Sequence, residues 1–196
     1  MYQTSFAGCK FDYAIFERTI IDDDILDSEA PLEENLRMRF ARSLRMNYQQ
    51  IGDAKAVNKA VSVELNATSI HLYKSWASNE SYYKKKYPSF KKVKQFFLWI
   101  EFWVLDFVWG NGESILKLLR TLILAVLLIG IIDVFKSSDS YSLGNYYQGL
   151  SKSFGVFFGL TVETSYSILA LAIISALKLI LFALFTALLV KRFGRR

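Results

Sequence analysis

The longest apolar segment of the chain lies near its carboxyl end. Residues Thr164 to Val190 form a run of 27 residues with one charged side chain, Lys178. As an α-helix this run would be roughly 40 Å long, which exceeds the ~30 Å hydrocarbon core of a bilayer. We therefore predict a transmembrane helix over 164–190.

A second apolar run precedes it and is shorter. Its uncharged part, 121–132, has 12 residues, but Lys117 and Arg120 can extend their charged ends to the membrane surface. We predict a first transmembrane helix over 113–135. Composition agrees with a mainly α membrane protein, because 53% of the residues are hydrophobic and the mean hydropathy is +0.23.

The distribution of positive charge predicts the orientation of these helices. Lysines and arginines are concentrated at 84–94 and at 191–196, whereas the connector 136–163 has only Lys136 and Lys152. Cytoplasmic segments next to membrane spans are enriched in Lys and Arg. We predict a multi-pass protein with both termini in the cytoplasm, an external connector and no secretory signal peptide.

The connector between the two spans is too apolar for a simple external loop. Residues 143–160 are rich in Tyr, Leu, Phe and Gly, and 153–162 carry no charge. Irregular backbone at membrane depth occurs only where protein covers it or where it lines a water-filled cavity. We predict that 143–163 form a pore helix and a loop that re-enter the membrane, in an assembly of several copies.

This order of helix, re-entrant segment and helix resembles the tetrameric pore-loop cation channels. The loop lacks the Gly-Tyr-Gly of potassium-channel filters and is instead similar to the Thr-Leu-Glu-Ser-Trp filter of bacterial voltage-gated sodium channels. The resemblance implies a selectivity filter of Thr161, Val162, Glu163, Thr164 and Ser165, with Tyr166 after it. Glu163 would supply a ring of carboxylates that attracts hydrated cations. The alternative is that Glu163 only caps the second span.

Three residues of the second span complete the predicted pore. A hydrophobic constriction at Phe182 and Phe185 would close the pathway by dewetting. Lys178 lies near the middle of the span and complicates the cation hypothesis. Three explanations stay open: an anion-conducting pore, a neutral or paired lysine, or a lysine that binds lipid phosphate.

The amino-terminal segment 1–21 has a period of five residues. Phe6, Phe11, Phe16 and Ile21 follow this period, with Thr4, Cys9, Ala14 and Thr19 two positions before them. The pattern resembles pentapeptide-repeat proteins, which implies one coil of a β-helix. The alternative is an irregular aromatic-rich arm. Together with the pore, the arm resembles the bacterial pentapeptide-repeat ion-channel proteins, which implies the bacterial inner membrane.

Three segments join the arm to the first span. Residues 22–31 read as an exposed acidic linker. Residues 32–88 show helical periodicity with a break at 51–53, which predicts a cytoplasmic helical hairpin. Its turn resembles that of a tetratricopeptide repeat, but a single unit favours a generic helical hairpin. Residues 89–112 combine aromatic and lysine side chains, which predicts an amphipathic helix at the membrane surface, with a buried helix as the alternative.

Composition argues against several function classes. One cysteine and one histidine, His71, cannot build a multi-cysteine or histidine-rich metal site. No pattern of nucleophile and base or of phosphate-binding glycines predicts an enzyme, and the basic clusters next to the spans do not predict nucleic-acid binding.

Two functional hypotheses follow from the sequence. The first is a pore-forming subunit of a homo-oligomeric cation channel, with four copies and contacts to membrane lipids. It would need no cofactor beyond the permeant monovalent or divalent cation. The second is a membrane-anchored cytoplasmic adaptor or scaffold protein without transport activity.

Overall fold

The computed structural model describes residues 9–11, 13–137, 143–160 and 166–194, with the backbone alone at 136 and 137. These residues form eight helices and no strand. The helices are α1 (Ile25–Ser28), α2 (Glu34–Ile51), α3 (Ala54–Ala77), α4 (Ser81–Lys86), α5 (Ser89–Trp109), α6 (Ile115–Ser137), α7 (Leu143–Phe158) and α8 (Ile168–Phe193). The prediction of a mainly α protein is confirmed.

The chain divides into two compact units. The first contains the described residues up to Val104 and from Arg192, and the second contains Leu105 to Lys191. The division falls within α5, which the sequence predicted as a single interfacial helix.

Helices α2 and α3 form the helical pair predicted from the sequence. Gly52 ends α2 with a φ of 79°, a left-handed conformation that a glycine adopts without strain. The Asp53 side chain accepts a hydrogen bond from the backbone N–H of Ala56 at 2.9 Å and so caps α3. Ala56 and Ala60 are buried, so the two helices can approach closely around the larger side chains of α2.

The described part of the amino-terminal arm has no strand, so the β-helix predicted for 1–21 is not supported there. Residues 1–8 and 12 lie outside the described residues. A five-residue spacing is visible in the backbone instead, because Tyr13 (66°) and Arg18 (47°) both have positive φ values. Phe11 and Phe16 pack against Phe40 of α2, with ring centroids 5.7 and 6.1 Å away.

Hydrogen bonds also fasten the arm to α2. Thr19 donates its backbone N–H to Asn47 Oδ1 at 2.8 Å, and Asn47 Nδ2 donates to the Thr19 carbonyl at 2.7 Å. Asn47 is fully buried. A buried amide with both ends paired avoids the desolvation cost of an unmade hydrogen bond. The arm is therefore part of the folded unit.

The acidic segment 22–31 is docked as well, which differs from the exposed linker that the sequence predicted. Ile25 and Leu26 in α1 are buried in the core formed with α2 and α3. Lys59 of α3 lies 2.8 Å from Asp27 and 3.6 Å from Asp23. The segment is docked because burial of Ile25 and Leu26 stabilises one side of it, while Lys59 neutralises acidic side chains on the other side.

Among the described residues, two helices are long and apolar enough to cross a membrane, as the sequence predicted. They are Ile115–Phe135 and Ile168–Phe193, with mean hydropathies of 2.5 and 2.7. Only 22% and 11% of their most apolar parts are buried inside the protein. Their apolar side chains are thus largely uncovered by the chain itself, in contrast to the core helix of a soluble protein.

Candidate functional site

Helices α6 and α7 cross at two glycines. A Cβ placed on Gly149 of α7 would lie 2.5 Å from Val134 Cγ2 and 3.1 Å from the Gly130 carbonyl oxygen of α6. A Cβ on Gly130 would lie 3.0 Å from Ser153 Oγ. The two backbones approach closely because no side chain separates them, as is typical of helix pairs in membranes. α7 is therefore in close contact with the carboxyl-terminal half of α6.

The carboxyl end of α7 is the best-buried part of that helix. Phe157 is fully buried, and with Val156 it belongs to a core shared with Ile129 of α6 and Ile174 of α8. The ring of Phe158 lies 6.4 Å from the ring of Phe182. The end of α7 thus lies next to the middle of α8.

Gly159 terminates α7 with a φ of 75°. Its N–H donates to the Val156 carbonyl at 3.2 Å, and the Leu160 N–H donates to the Gly155 carbonyl at 2.8 Å. This pair of bonds is a Schellman motif, in which a left-handed glycine reverses the chain after a helix. Within the segment 143–163, which the sequence predicted to re-enter the membrane, the described residues form a helix over 143–158 followed by a turn at Gly159.

Lys178 has a local environment that the sequence did not indicate. A Cβ on Gly159 would lie 3.7 Å from Lys178 Nζ, so the ammonium group lies beside the carboxyl end of α7. Helix carboxyl ends carry a partial negative charge of about half an electron, which favours a cation there. This position gives the lysine a stabilising neighbour within the same chain, beyond the three explanations left open by the sequence.

A buried charged group, missed by the sequence analysis, lies in α6. Asp133 is 5% exposed, and its Oδ2 lies 3.6 Å from Lys152 Nζ of α7. The Tyr166 hydroxyl interacts with the Asp133 carboxylate and donates to the Ile129 carbonyl at 3.4 Å. The available signal was the one acid within an otherwise apolar run, since such a residue must find a partner.

The structure describes the three residues predicted to line the pore but not those predicted for the filter. The five filter residues, Thr161, Val162, Glu163, Thr164 and Ser165, lie outside the described residues. The chain is described on both sides of them, at Leu160 and Tyr166. Among the predicted pore-lining residues, Lys178 and Phe182 both lie at the end of α7, whereas Phe185 is partly buried against the core of the second unit.

The far end of α8 contacts the turn between α5 and α6. Lys191 Nζ donates to the Gly112 carbonyl at 2.9 Å and forms an ion pair with Glu113. Lys117 Nζ lies 2.7 Å from Asp106 Oδ2 near the same turn. Charged side chains therefore gather at this end of the two apolar helices, away from the buried Asp133.

His71 lies in the first unit and takes no part in this region. Its Nδ1 is 3.2 Å from the Tyr83 hydroxyl, and its Nε2 is 3.4 Å from the Tyr87 hydroxyl. Burial lowers the pKa of His71, and the positive charge of Lys86 lowers it further. His71 is therefore a buried side chain lined by two tyrosines.

Within the described residues no group of three or more His, Cys, Asp or Glu side chains is arranged to hold a metal ion. Comparison with protein-family models, with curated proteins and with solved structures finds no match to the chain.

Proposed function

We propose that the protein is the pore-forming subunit of an oligomeric cation channel. The observation that carries the proposal is the position of α7. This helix has 16 residues, about 24 Å, which is too short to cross a bilayer. It packs on α6 through glycines and ends beside Lys178 and Phe182, near the middle of α8.

A helix that ends at this depth requires an unusual environment for the chain that follows. Backbone groups without helical hydrogen bonds are costly in hydrocarbon, so the segment after Gly159 needs protein or water around it. One copy offers two spanning helices, and α8 has only three buried side chains among its described residues. An assembly of four copies in total, by resemblance to pore-loop channels, would enclose the segment around a water-filled axis.

Topology follows from charge. The lysine-rich segment before α6 and the basic end after α8 favour the cytoplasmic side for both, and hence the opposite side for the connector between α6 and α7. The Asp133–Lys152 pair then lies towards the outer surface and the Lys191–Glu113 pair towards the inner surface.

Glu163 would select for cations in this arrangement. Four carboxylates near one axis attract hydrated cations and can exchange part of their water. Lys178 would oppose them, but its ammonium lies at the negative end of α7, which offsets about half of its charge. The carboxylate ring therefore dominates the local charge in our proposal.

The decisive experiment is a measurement of reversal potentials in a salt gradient across a planar bilayer that contains the purified protein. Glu163→Gln keeps the side-chain size and removes up to four negative charges, so its cation preference should fall steeply. Glu101→Gln, which removes an acid on α5, is the matched control and should leave the reversal potential at the wild-type value.

Three results would contradict the proposal. An unchanged reversal potential in Glu163→Gln would mean that Glu163 acts only as a helix cap. Such a cap contributes about 0.3 to 1 kcal/mol of stability. Chloride preference in the wild-type protein would reject the cation assignment and direct attention to Lys178. The absence of unitary currents from correctly inserted protein would leave the adaptor hypothesis.

A further inference from the structure

Helix α5 has one face that packs within the first unit. The ring of Trp76 in α3 lies 5.0 Å from the ring of Phe96 and 5.3 Å from that of Trp99. On the same side the Ser75 hydroxyl donates to Gln95 Oε1 at 3.2 Å. These contacts fix which side of the helix faces α3.

The opposite face of α5 carries an apolar stripe that no other part of the described chain covers. Phe90, Val93, Phe97 and Val104 follow one another at separations of three, four and seven residues, so they line one side of the helix. They are 95%, 57%, 63% and 43% exposed. We call these four residues the α5 stripe. An exposed row of large apolar side chains, interrupted by Glu101 between Phe97 and Val104, indicates an interaction surface.

Many positive charges lie close in sequence to the start of this stripe. Six lysines lie in α4 and the first turns of α5, and all but the half-buried Lys92 are exposed: Lys84, Lys85, Lys86, Lys91, Lys92 and Lys94. The acids of α5 are Glu101 and Asp106, and the latter pairs with Lys117. Apolar rings flanked by lysines suit a surface that is both apolar and negatively charged.

The chain connection places such a surface within reach. α5 ends at Trp109 and the apolar helix α6 begins at Ile115, so the end of α5 lies within about 20 Å of the start of α6. α5 itself is about 30 Å long and is not among the helices apolar enough to cross a membrane.

We propose that the α5 stripe docks on the anionic headgroup surface of the membrane that α6 enters. This proposal rests on the membrane placement in the proposed function, but not on ion conduction. A second copy of the chain is the competing occupant of the stripe. We favour lipid because a second copy in parallel orientation would place its lysine-rich end against that of the first copy, and the two would repel each other. Anionic headgroups would instead attract the lysines.

The test measures the depth of a fluorophore attached to the full-length protein in vesicles. A Cys9→Ser background removes the exposed native cysteine, and Val93→Cys then receives a solvent-sensitive fluorophore. Met46→Cys is the matched control, because Met46 is 52% exposed on α2 and lies outside the stripe. Vesicles contain phosphatidylcholine alone or with about 30% phosphatidylglycerol, plus a lipid with a nitroxide quencher near the headgroup.

We expect strong quenching at position 93 in the anionic vesicles and little quenching at position 46. Neutralising three exposed lysines, in Lys85→Gln/Lys91→Gln/Lys94→Gln, should reduce the apparent affinity of the docked state for anionic lipid. The expected loss is roughly fivefold per lysine, or about a hundredfold in total. Quenching should then approach that seen in neutral vesicles.

Two outcomes would overturn the proposal. One is equal quenching at positions 93 and 46 in anionic vesicles. The other is a fluorophore at position 93 that lipid quenchers do not reach, together with a disulfide between copies when unlabelled Val93→Cys protein is oxidised. Alkaline extraction of the same vesicles tests whether the protein is inserted in the membrane. Ion flux across them tests the channel hypothesis separately.

Discussion

Gly149→Ala should destabilise the second unit, although alanine normally favours a helix over glycine. The added Cβ would lie 2.5 Å from Val134 Cγ2, whereas ordinary contacts of this kind are 3.4–4 Å. It would also lie 3.1 Å from the Gly130 carbonyl oxygen, which belongs to the backbone of α6 and cannot rotate away. The helices must therefore separate by about 1 Å or distort.

The change in the free energy of unfolding caused by Gly149→Ala is the sum of two opposing contributions. Overpacking a tight contact costs about 1 to 3 kcal/mol, and replacing a helical glycine by alanine returns up to about 1 kcal/mol. Gly144→Ala on the exposed start of α7 receives only the second term. The difference between the two variants should thus isolate a packing cost of about 1 to 3 kcal/mol.

Thermal unfolding of the detergent-solubilised protein, followed by circular dichroism, measures this difference. For a chain of this size about 1 kcal/mol corresponds to roughly 2–4 °C in Tm. Val134→Ala should be less harmful in the Gly149→Ala background than alone, because it removes the clashing methyl groups and gives a favourable coupling. Equal Tm values for Gly149→Ala and Gly144→Ala would refute the close helix contact.

Three further predictions concern other parts of the chain. Asn47→Ala should lose about 1 to 3 kcal/mol of stability and expose the arm to protease, whereas Gln50→Ala, at an exposed hydrogen bond, should change stability by less than about 0.5 kcal/mol. The lowered pKa of His71 means that the unfolded chain takes up the proton more readily. Stability should therefore fall as pH drops below the ordinary value of 6.5 and level off below the folded pKa, and His71→Gln should flatten this dependence in unfolding curves. Phe182→Ser and Phe185→Ser should raise resting current in bilayers by wetting the proposed constriction, and unchanged current at both would place the gate elsewhere.

The helices were predictable where one periodic signal was strong. The helical periodicity of 32–88 and its break at 51–53 predicted a helical hairpin, and the structure has α2 and α3 joined at Gly52. The two apolar helices were predictable for a different reason, since a segment of about 20 mostly apolar residues has few alternative structures.

The arm was less predictable because a five-residue period fits more than one backbone. A stacked β-helix coil and an arm packed on another element both place every fifth aromatic ring on one side. In the described residues the neighbouring helix α2 supplies the apolar surface, through Phe40, that further coils would otherwise provide. That choice depends on tertiary contacts between residues 11 and 40, which a local pattern does not contain.

The candidate site depends on such distant contacts even more. The position of Lys178 at the end of α7, and of Asp133 beside Lys152, joins residues that are 19 apart in sequence in both cases. Glycines 130 and 149 carried a weak signal alone, because a glycine within a helical pattern indicates either close packing or simple tolerance. Only the crossing of α6 and α7 distinguishes the two.

The contact of Lys191 with Gly112 and Glu113 has a mechanical consequence. The hydrogen bond to Gly112 joins residues 79 positions apart, so the carboxyl end of α8 contacts the segment that precedes α6. While Lys191 keeps these contacts, the last turn of α8 stays beside the start of α6. A pull on the α5–α6 turn is thereby transmitted to the end of α8 directly, without passing through the apolar interior.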